Sequence, residues 1–353
     1  MQLAVLGGGG SGHAAAADFT LAGHTVRFWR RSSAGLDALR QAGGITLIDD
    51  TAPRLAMPAV LTADMAEAVR GADVVVALLP ATAHDELGRR LAPHLDERQI
   101  VVLPPGALGA YVVAREIGRA GKTLPLAVAE MGAPLHHVRL TAPTEVRVAG
   151  RAAHLPVGVF PAARASLALP KVTGLIAGAR PCVDVLDAAL TNAGPVIYPA
   201  VVLLNAGAVE GGHLDVRSAR TTTTGRRLIE VVNAERVATR AGWGYPVPRD
   251  DTALSGEAAG GVETHEQVSL DHRYVTEDAV LGLSLLESAA RTASVDSPAV
   301  SGLLLLFGVL LGRTLSGHGR ALEALGLGEL LRREIVSLLY EGWTSPLWSR
   351  IIK

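Results

Sequence analysis

In the first half of the 353-residue chain, short apolar runs alternate with amphipathic stretches, the pattern of a sheet flanked by helices. An apolar run ending at Leu6 reads as a buried strand. Residues 13–22 read as a helix stopped by Gly23, and 25–29 as a second strand. A helix over 61–69 precedes a near-continuous apolar strand over 72–79, which ends at Pro80. Residues 84–95 return as a helix, and 99–103 as a buried strand closed by Pro104, Pro105 and Gly106. Residues 111–120 read as a helix, 126–130 as the next strand and 144–149 as a further strand. Such alternation predicts a parallel sheet with helices on both faces.

From about residue 166 the period lengthens to that of helices, over 184–192, 201–210, 227–242, 278–293, 298–311 and 330–340. The stretch 242–248 breaks the helical run, and 256–261 reads as a small-residue linker. No repeat of fixed period is visible. The pattern predicts a doubly wound α/β domain over residues 1–172, followed by an all-helical domain over 173–353. A cleft between two such domains is where a substrate is expected.

The first turn carries chemistry. Gly7, Gly9 and Gly12 form G-x-G-x-x-G between a strand and a helix, with Gly10 and Ser11 inside it. This is the dinucleotide-binding pattern of a Rossmann unit. One glycine permits the tight turn, one lets backbone approach a pyrophosphate, and one lets helix pack on strand. Free N–H groups at the helix start would bind the phosphates. An NAD site would place a carboxylate about 20 residues further on. Here that region reads Trp29, Arg30, Arg31, Ser32, Ser33. Guanidinium groups clamp phosphate with paired hydrogen bonds, so Arg30, Arg31 and Ser32 point to a 2′-phosphate and favour NADP(H) over NAD(H). The competing reading of the two arginines is a pair of solvated surface charges. Pro80, Pro105 and Gly106, after strand ends, are expected to border the nicotinamide.

Composition narrows the class. Apolar residues make up 49% of the chain and charged ones 19%, ample for two cores. The formal net charge of −1 argues against nucleic acid as a partner. Cys182 is the single cysteine, and no histidines show metal-ligand spacing, so neither a disulfide framework nor a metal is expected. The most apolar stretch, 303–311, is interrupted and too short to span a bilayer. With no leader-like segment before the first strand, a cytoplasmic protein is expected. Long apolar faces in the helical half are compatible with a homodimer.

Several segments together resemble the octopine/nopaline (opine) dehydrogenase family. They are Asn192 through Ala206 (NAGPVIYPAVVLLNA), Leu270 through Asp278 (LDHRYVTED), Gly319 through Gly326 (GRALEALG), Ala127 through Met131 (AVAEM) and Pro104-Pro105-Gly106. The resemblance covers essentially the whole chain. It implies a Rossmann domain followed by a helical domain, arranged as in 6-phosphogluconate dehydrogenase. It also implies reduction, by a nicotinamide cofactor, of the imine formed between an amino acid and a 2-oxo acid. By the same resemblance Arg273 and Asp278 belong to the active site. A guanidinium there would hold a substrate carboxylate, and a carboxyl would orient a proton donor or bind an amine. The plainer reading of Asp278 is a helix N-cap.

One position departs from the family. Where the resemblance calls for a histidine before a proline, as general acid/base, this chain has Tyr198 before Pro199. Histidine titrates near neutrality, whereas a phenol has a reference pKa near ~10. Three readings stay open. Tyr198 is a replacement acid, or the enzyme reduces a single ketone or preformed imine, or cofactor binding persists without opine synthesis, as in a dinucleotide-binding regulator. His136 and His137, after the strand over 126–130, are candidates to face the nicotinamide. His213 and His272 could supply an imidazole, with Asp215 as an orienting partner. Asn205 could contact substrate or hydrogen-bond between helices, and Thr221–Thr224 reads as a polar turn.

Overall fold

Leu3 to Leu6 are completely buried, each large side chain contributing roughly 1.5–3 kcal/mol to the core. They form the centre of β1, from which the sheet grows in both directions. The strands are β1 (Gln2–Leu6), β2 (Thr25–Trp29), β3 (Ile45–Ile48), β4 (Arg54–Ala56), β5 (Val60–Thr62) and β6 (Val74–Ala77). They continue with β7 (Ile100–Leu103), β8 (Ala127–Met131), β9 (His136–Ala142), β10 (Glu145–Arg151), β11 (Leu155–Phe160) and β12 (Ala179–Pro181). Between and after them run α1 (Gly10–Leu21), α2 (Ala34–Ala42), α3 (Met65–Val69), α4 (His84–Leu91), α5 (Gly109–Arg119), α6 (Ala165–Leu175) and α7 (Val185–Leu190). The helical half holds α8 (Gly194–Leu204), α9 (Ala206–Glu210), α10 (Val216–Thr221), α11 (Thr223–Trp243), a π-helix (Tyr274–Leu283), α12 (Ser284–Thr292), α13 (Pro298–Leu310), α14 (Arg332–Glu341) and α15 (Trp348–Ile351). This computed structural model describes residues 1–246 and 268–353; the linker expected at 256–261 and the end of the break at 247–248 lie outside the described residues.

The main sheet has the order β12-β11-β8-β7-β6-β1-β2-β5. It is parallel except between β8 and β11, so the expected doubly wound sheet is present with a reversed edge. Strand order turns back between β1 and β6, and ligands bind outside the carboxyl ends of strands at such a point. The stretch expected to be helical over 61–69 splits into edge strand β5 and the single turn of α3. Val60 to Thr62 pair with β2, and Asp64 then caps the helix by accepting from the Ala66 amide at 2.8 Å.

A second sheet, β4-β3-β10-β9, is absent from the sequence reading. The strand anticipated near 144–149 belongs to it rather than to the main sheet, and β9 lies beside the start of α1. Covered by the main sheet below and this sheet above, α1 buries Ala14 to Ala17 completely, which explains its run of alanines. The division expected at 172/173 falls inside α6, and β12 still pairs with β11 beyond it.

One face of the main sheet shares a continuous apolar core with the helical half. The apolar run Val185–Leu204 is 20 residues long and mostly buried, and it divides into α7 and α8, as core helices do. Asp187 pairs with Arg240 at 2.6 Å, and the Tyr245 hydroxyl donates to Asp184 at 2.9 Å, tying α7 to α11 and the residues after it.

Candidate functional site

The glycine loop is dictated by backbone geometry. A Cβ on Gly12 would lie 1.8 Å from the Gly7 carbonyl oxygen, so helix start and strand end touch without a side chain between them. Gly7 has φ +140°, and a Cβ there would meet the Leu78 oxygen at 2.4 Å. Gly9, by contrast, has nothing within 4 Å, leaving open backbone above the first turn of α1. This is the cradle a pyrophosphate requires, and the loop therefore fits a dinucleotide. Arg30 follows β2 and lies against the loop, its Cβ 3.1 Å and its Nε 3.2 Å from where a Gly8 Cβ would sit. Its guanidinium reaches the start of α2 at Gly35, while Arg31 and Ser32 are exposed beside it.

The next strand ends complete the rim. Pro80 is exposed after β6, and Ala81 behind it is gripped from the helical half. The Ala81 amide donates to Glu277 at 2.7 Å, and Arg320 donates to the Ala81 carbonyl at 2.7 Å. After β7, Ala107 and Leu108 both have positive φ, 50° and 62°. This turn aims the Leu108 and Ala110 amides at the Glu130 carboxylate, which accepts them at 2.6 and 2.9 Å. Gly106 lies so close that a Cβ would fall 2.2 Å from the Glu130 carboxyl carbon, which is why a glycine is needed there. Burial pushes Glu130 up to about 8, with the two amides and Arg320 pulling against it. Glu130 is a functional candidate without a sequence motif of its own; its signal in the sequence is a carboxylate near the end of an otherwise apolar buried strand.

The two stretches that carry the family resemblance meet in the helical half. Helix α8 starts at Gly194 with Pro195 in its first turn and accommodates Pro199 in its interior. The bond lost at Pro199 would have been to Pro195, near the helix start, so α8 begins at Gly194 rather than at the expected residue 201. Tyr198 thus sits on α8, half-buried. The facing segment is a π-helix, a rare form that concentrates at functional sites. Asp278 is its fifth residue, not the helix cap the plainer reading assumed. Its Oδ1 packs 2.2 Å from where a Gly194 Cβ would be, and one turn on, Gly282 touches Pro195 in the same way. Burial pushes the Asp278 carboxyl up to about 8, Arg273 opposing and Glu277 adding to the shift.

Tyr198 is stacked on Tyr274, ring centres 3.8 Å apart and planes 6° from parallel. His272 meets Tyr274 edge-on at 4.2 Å, and the Arg273 guanidinium lies 5.5 Å from the Tyr274 ring centre. Burial raises the Tyr198 pKa; Arg273, Arg220 and the Tyr274 hydroxyl oppose this, and Asp278 adds to it. The phenol is therefore a neutral hydrogen-bond donor around pH 7. An imidazole does belong to the cluster, one ring removed from Tyr198.

Other expected residues fall elsewhere. His136 bonds Asp18 on α1 at 2.8 Å, and Arg151 holds the same carboxylate at 2.8 and 2.7 Å. Asp18 lies eight residues past Gly10, about 12 Å along the helix at 1.5 Å per residue. His136 therefore does not face the nicotinamide side, because the chain after β8 turns over α1 into the second sheet. His137 shares that strand, opposite Gly150. Asn205 ends α8, its side-chain amide donating to the Val201 carbonyl at 2.8 Å within the same helix, a local bond rather than one between helices. His213 is exposed, its ring folded over Gly211, and Asp215 caps the following turn through Ser218. Thr222 caps α11 by accepting from the Gly225 amide.

Comparison with known proteins agrees with this layout. Residues 181–311 match the family model of the NAD/NADP octopine/nopaline dehydrogenase alpha-helical domain, and residues 2–105 that of the NAD-dependent glycerol-3-phosphate dehydrogenase N-terminus. The chain is 30% identical over 342 residues to an opine dehydrogenase of Arthrobacter sp. (strain 1C), covering 93% of this chain and 95% of that one. In fold it is similar to octopine dehydrogenase with NADH and pyruvate (TM-score 0.70, 18% identity, 96% and 98% of the two chains). It is also similar to NADP+-bound yersinopine dehydrogenase (TM-score 0.65, 14% identity, 98% and 99%).

Proposed function

The chain belongs to the octopine/nopaline (opine) dehydrogenase family and is an NAD(P)-dependent oxidoreductase acting on CH–NH or CH–OH bonds; from that premise we propose an NADP-linked enzyme that reduces the imine of an amino acid and a 2-oxo acid. The observation that carries this reading is the seating of Asp278 against Gly194 at the start of α8, within one cluster with Tyr198 and Arg273. When bound, the nicotinamide supplies hydride to the substrate carbon. Gly7, Gly9, Gly10, Ser11 and Gly12 would hold its pyrophosphate, Arg30, Arg31 and Ser32 its 2′-phosphate, and Pro80, Pro105 and Gly106 would border the ring.

The chain's own residues supply charge, orientation and a proton. Arg273 holds a substrate carboxylate through paired hydrogen bonds. Asp278, with its carboxyl near 8, is the group best matched to giving and recovering a proton near neutrality. It takes over the work that the family's histidine performs. Tyr198 stays a neutral phenol and donates a hydrogen bond to the reacting nitrogen or oxygen. Tyr198 in place of histidine also favours a second reading, reduction of one ketone or preformed imine.

Oxidation of NADPH over a matrix of amino acids and 2-oxo acids separates the two. Turnover only with both partners supports the opine reading, and turnover with one compound supports the second. Cofactor preference is tested with R30E/R31E. Loss of one charge-assisted phosphate contact, about 1.5–3 kcal/mol, should shift the NADPH-to-NADH preference by roughly tenfold or more. An unchanged preference removes the 2′-phosphate assignment.

A further inference from the structure

We propose that the interface between the two halves carries a second ligand site, for a small dianion bearing phosphate or carboxylate groups. A cavity of about 720 Å³ lies between α4, α5, the π-helix and the 313–325 segment. That volume is ordinary for a small-molecule site. Its lining includes Arg115, Arg313, Arg320 and His318, against a single carboxylate, Asp85.

The charges do not cancel. Asp85 accepts from Arg115 at 3.1 Å and lies 3.5 Å from Arg320; Arg115 is also paired with Glu116 at 3.2 Å behind the wall, but Glu116 is itself shared with Arg89 and Arg119, so guanidinium groups still outnumber carboxylates. Arg313 is exposed and has no ion pair among the described residues. His318 has Nδ1 bonded to the Ser316 carbonyl at 3.0 Å, leaving Nε2 for another partner. A concave wall with surplus positive charge concentrates anions, and planar guanidinium groups match the oxygen pairs of phosphate and carboxylate.

This cavity is separate from the catalytic cluster. On the π-helix, Asp278 and Gly282 are packed on α8, whereas Thr276 and Val280 line the cavity. Its walls also come from both halves, Thr82, Asp85 and Arg115 from the first and the rest from the second. The Ala81 clamp lies beside it, since Arg320 both lines the cavity and donates to the Ala81 carbonyl. A dianion there would pull Arg313 and His318 toward Arg115 and fasten the two halves together.

The test is calorimetric titration of inorganic pyrophosphate, and separately of succinate, into enzyme saturated with NADP+ or NAD+, so that the cofactor's own phosphate sites are filled. Saturable one-site binding of at least one anion is expected, weakened at least tenfold in R313E/H318E and undiminished in R273A. The tighter of the two anions assigns the site to phosphate or carboxylate chemistry. Both substituted positions are exposed, and an unliganded melting temperature equal to that of the parent confirms that R313E/H318E is folded. Absence of saturable binding overturns the proposal, as does binding that survives R313E/H318E. Binding lost in R273A places the anion in the catalytic cluster and overturns it equally.

Discussion

The glycine loop and the α8/π-helix cluster are the two parts of the proposed catalytic site, yet they are built in opposite ways. In the loop, six consecutive residues do the work through backbone atoms, and the important quantity is the absence of a side chain at Gly7 and Gly12. In the cluster, Tyr198 and Asp278 are brought together from 80 residues apart, and what they can do depends on burial and neighbouring charge. A backbone cradle works wherever the local sequence permits the turn. A proton donor works only after the fold has set its pKa.

The most damaging single change should be Gly12→Ala. Its methyl would overlap the Gly7 oxygen, so NADPH affinity is expected to fall by more than about a hundredfold, equivalent to ~2.7 kcal/mol. Gly9→Ala meets open space in the free protein, so its melting temperature should hold while the NADPH Kd rises. Equal Kd values for Gly12→Ala and the parent, by fluorescence titration, would break the contrast from the loop side.

Asp278→Asn is next. Loss of a general acid typically costs about 10²–10⁴ in kcat, and the parent's reductive rate should fall as pH rises through about 8. Stability carries the same signature. A carboxyl raised to about 8 in the folded chain, against ~3.9 unfolded, favours the fold at low pH, and that contribution is lost as pH climbs from 4 to 8. Asp278→Asn should therefore flatten the decline in melting temperature over that window. A variant with parental kcat would return the acid role to another group, with His272 the first to examine.

Tyr198→Phe should be milder, about tenfold in kcat, corresponding to one neutral hydrogen bond near ~1.4 kcal/mol. A drop as large as that of Asp278→Asn would reverse the ranking and make the phenol the acid. Smallest for catalysis is His136→Ala. Arg151 still holds Asp18, so about 1–3 kcal/mol of stability should be lost in urea unfolding, with kcat unchanged. A fall in kcat would bring the second sheet into the chemistry.

The β1–α1–β2 unit was legible in the sequence because each constraint is local: an apolar strand, a glycine turn, a helix, a second strand. The second sheet was not. Of its strands β10 alone was anticipated, over 144–149; β3 and β4 are 4 and 3 residues long and much of β9 is exposed, and what groups the four is packing on α1. The helices of the second half were visible by their period, but Gly194, Pro195 and Pro199 concealed the start of α8. The π-helix left no trace, since its apolar positions resemble those of an ordinary helix.

Sequence alone determined that a backbone cradle able to take a dinucleotide forms after β1, because backbone sterics at glycine do not depend on distant residues. It also supplied the family, through ordered motifs, and the substitution of Tyr198 for a histidine. Only the tertiary structure decided that His136 pairs with Asp18, that Glu130 holds the turn after β7, and that Asp278 lies within a π-helix with its carboxyl raised. Those outcomes are set by desolvation and by contacts between residues far apart in the chain, and neither exists until the two halves have packed.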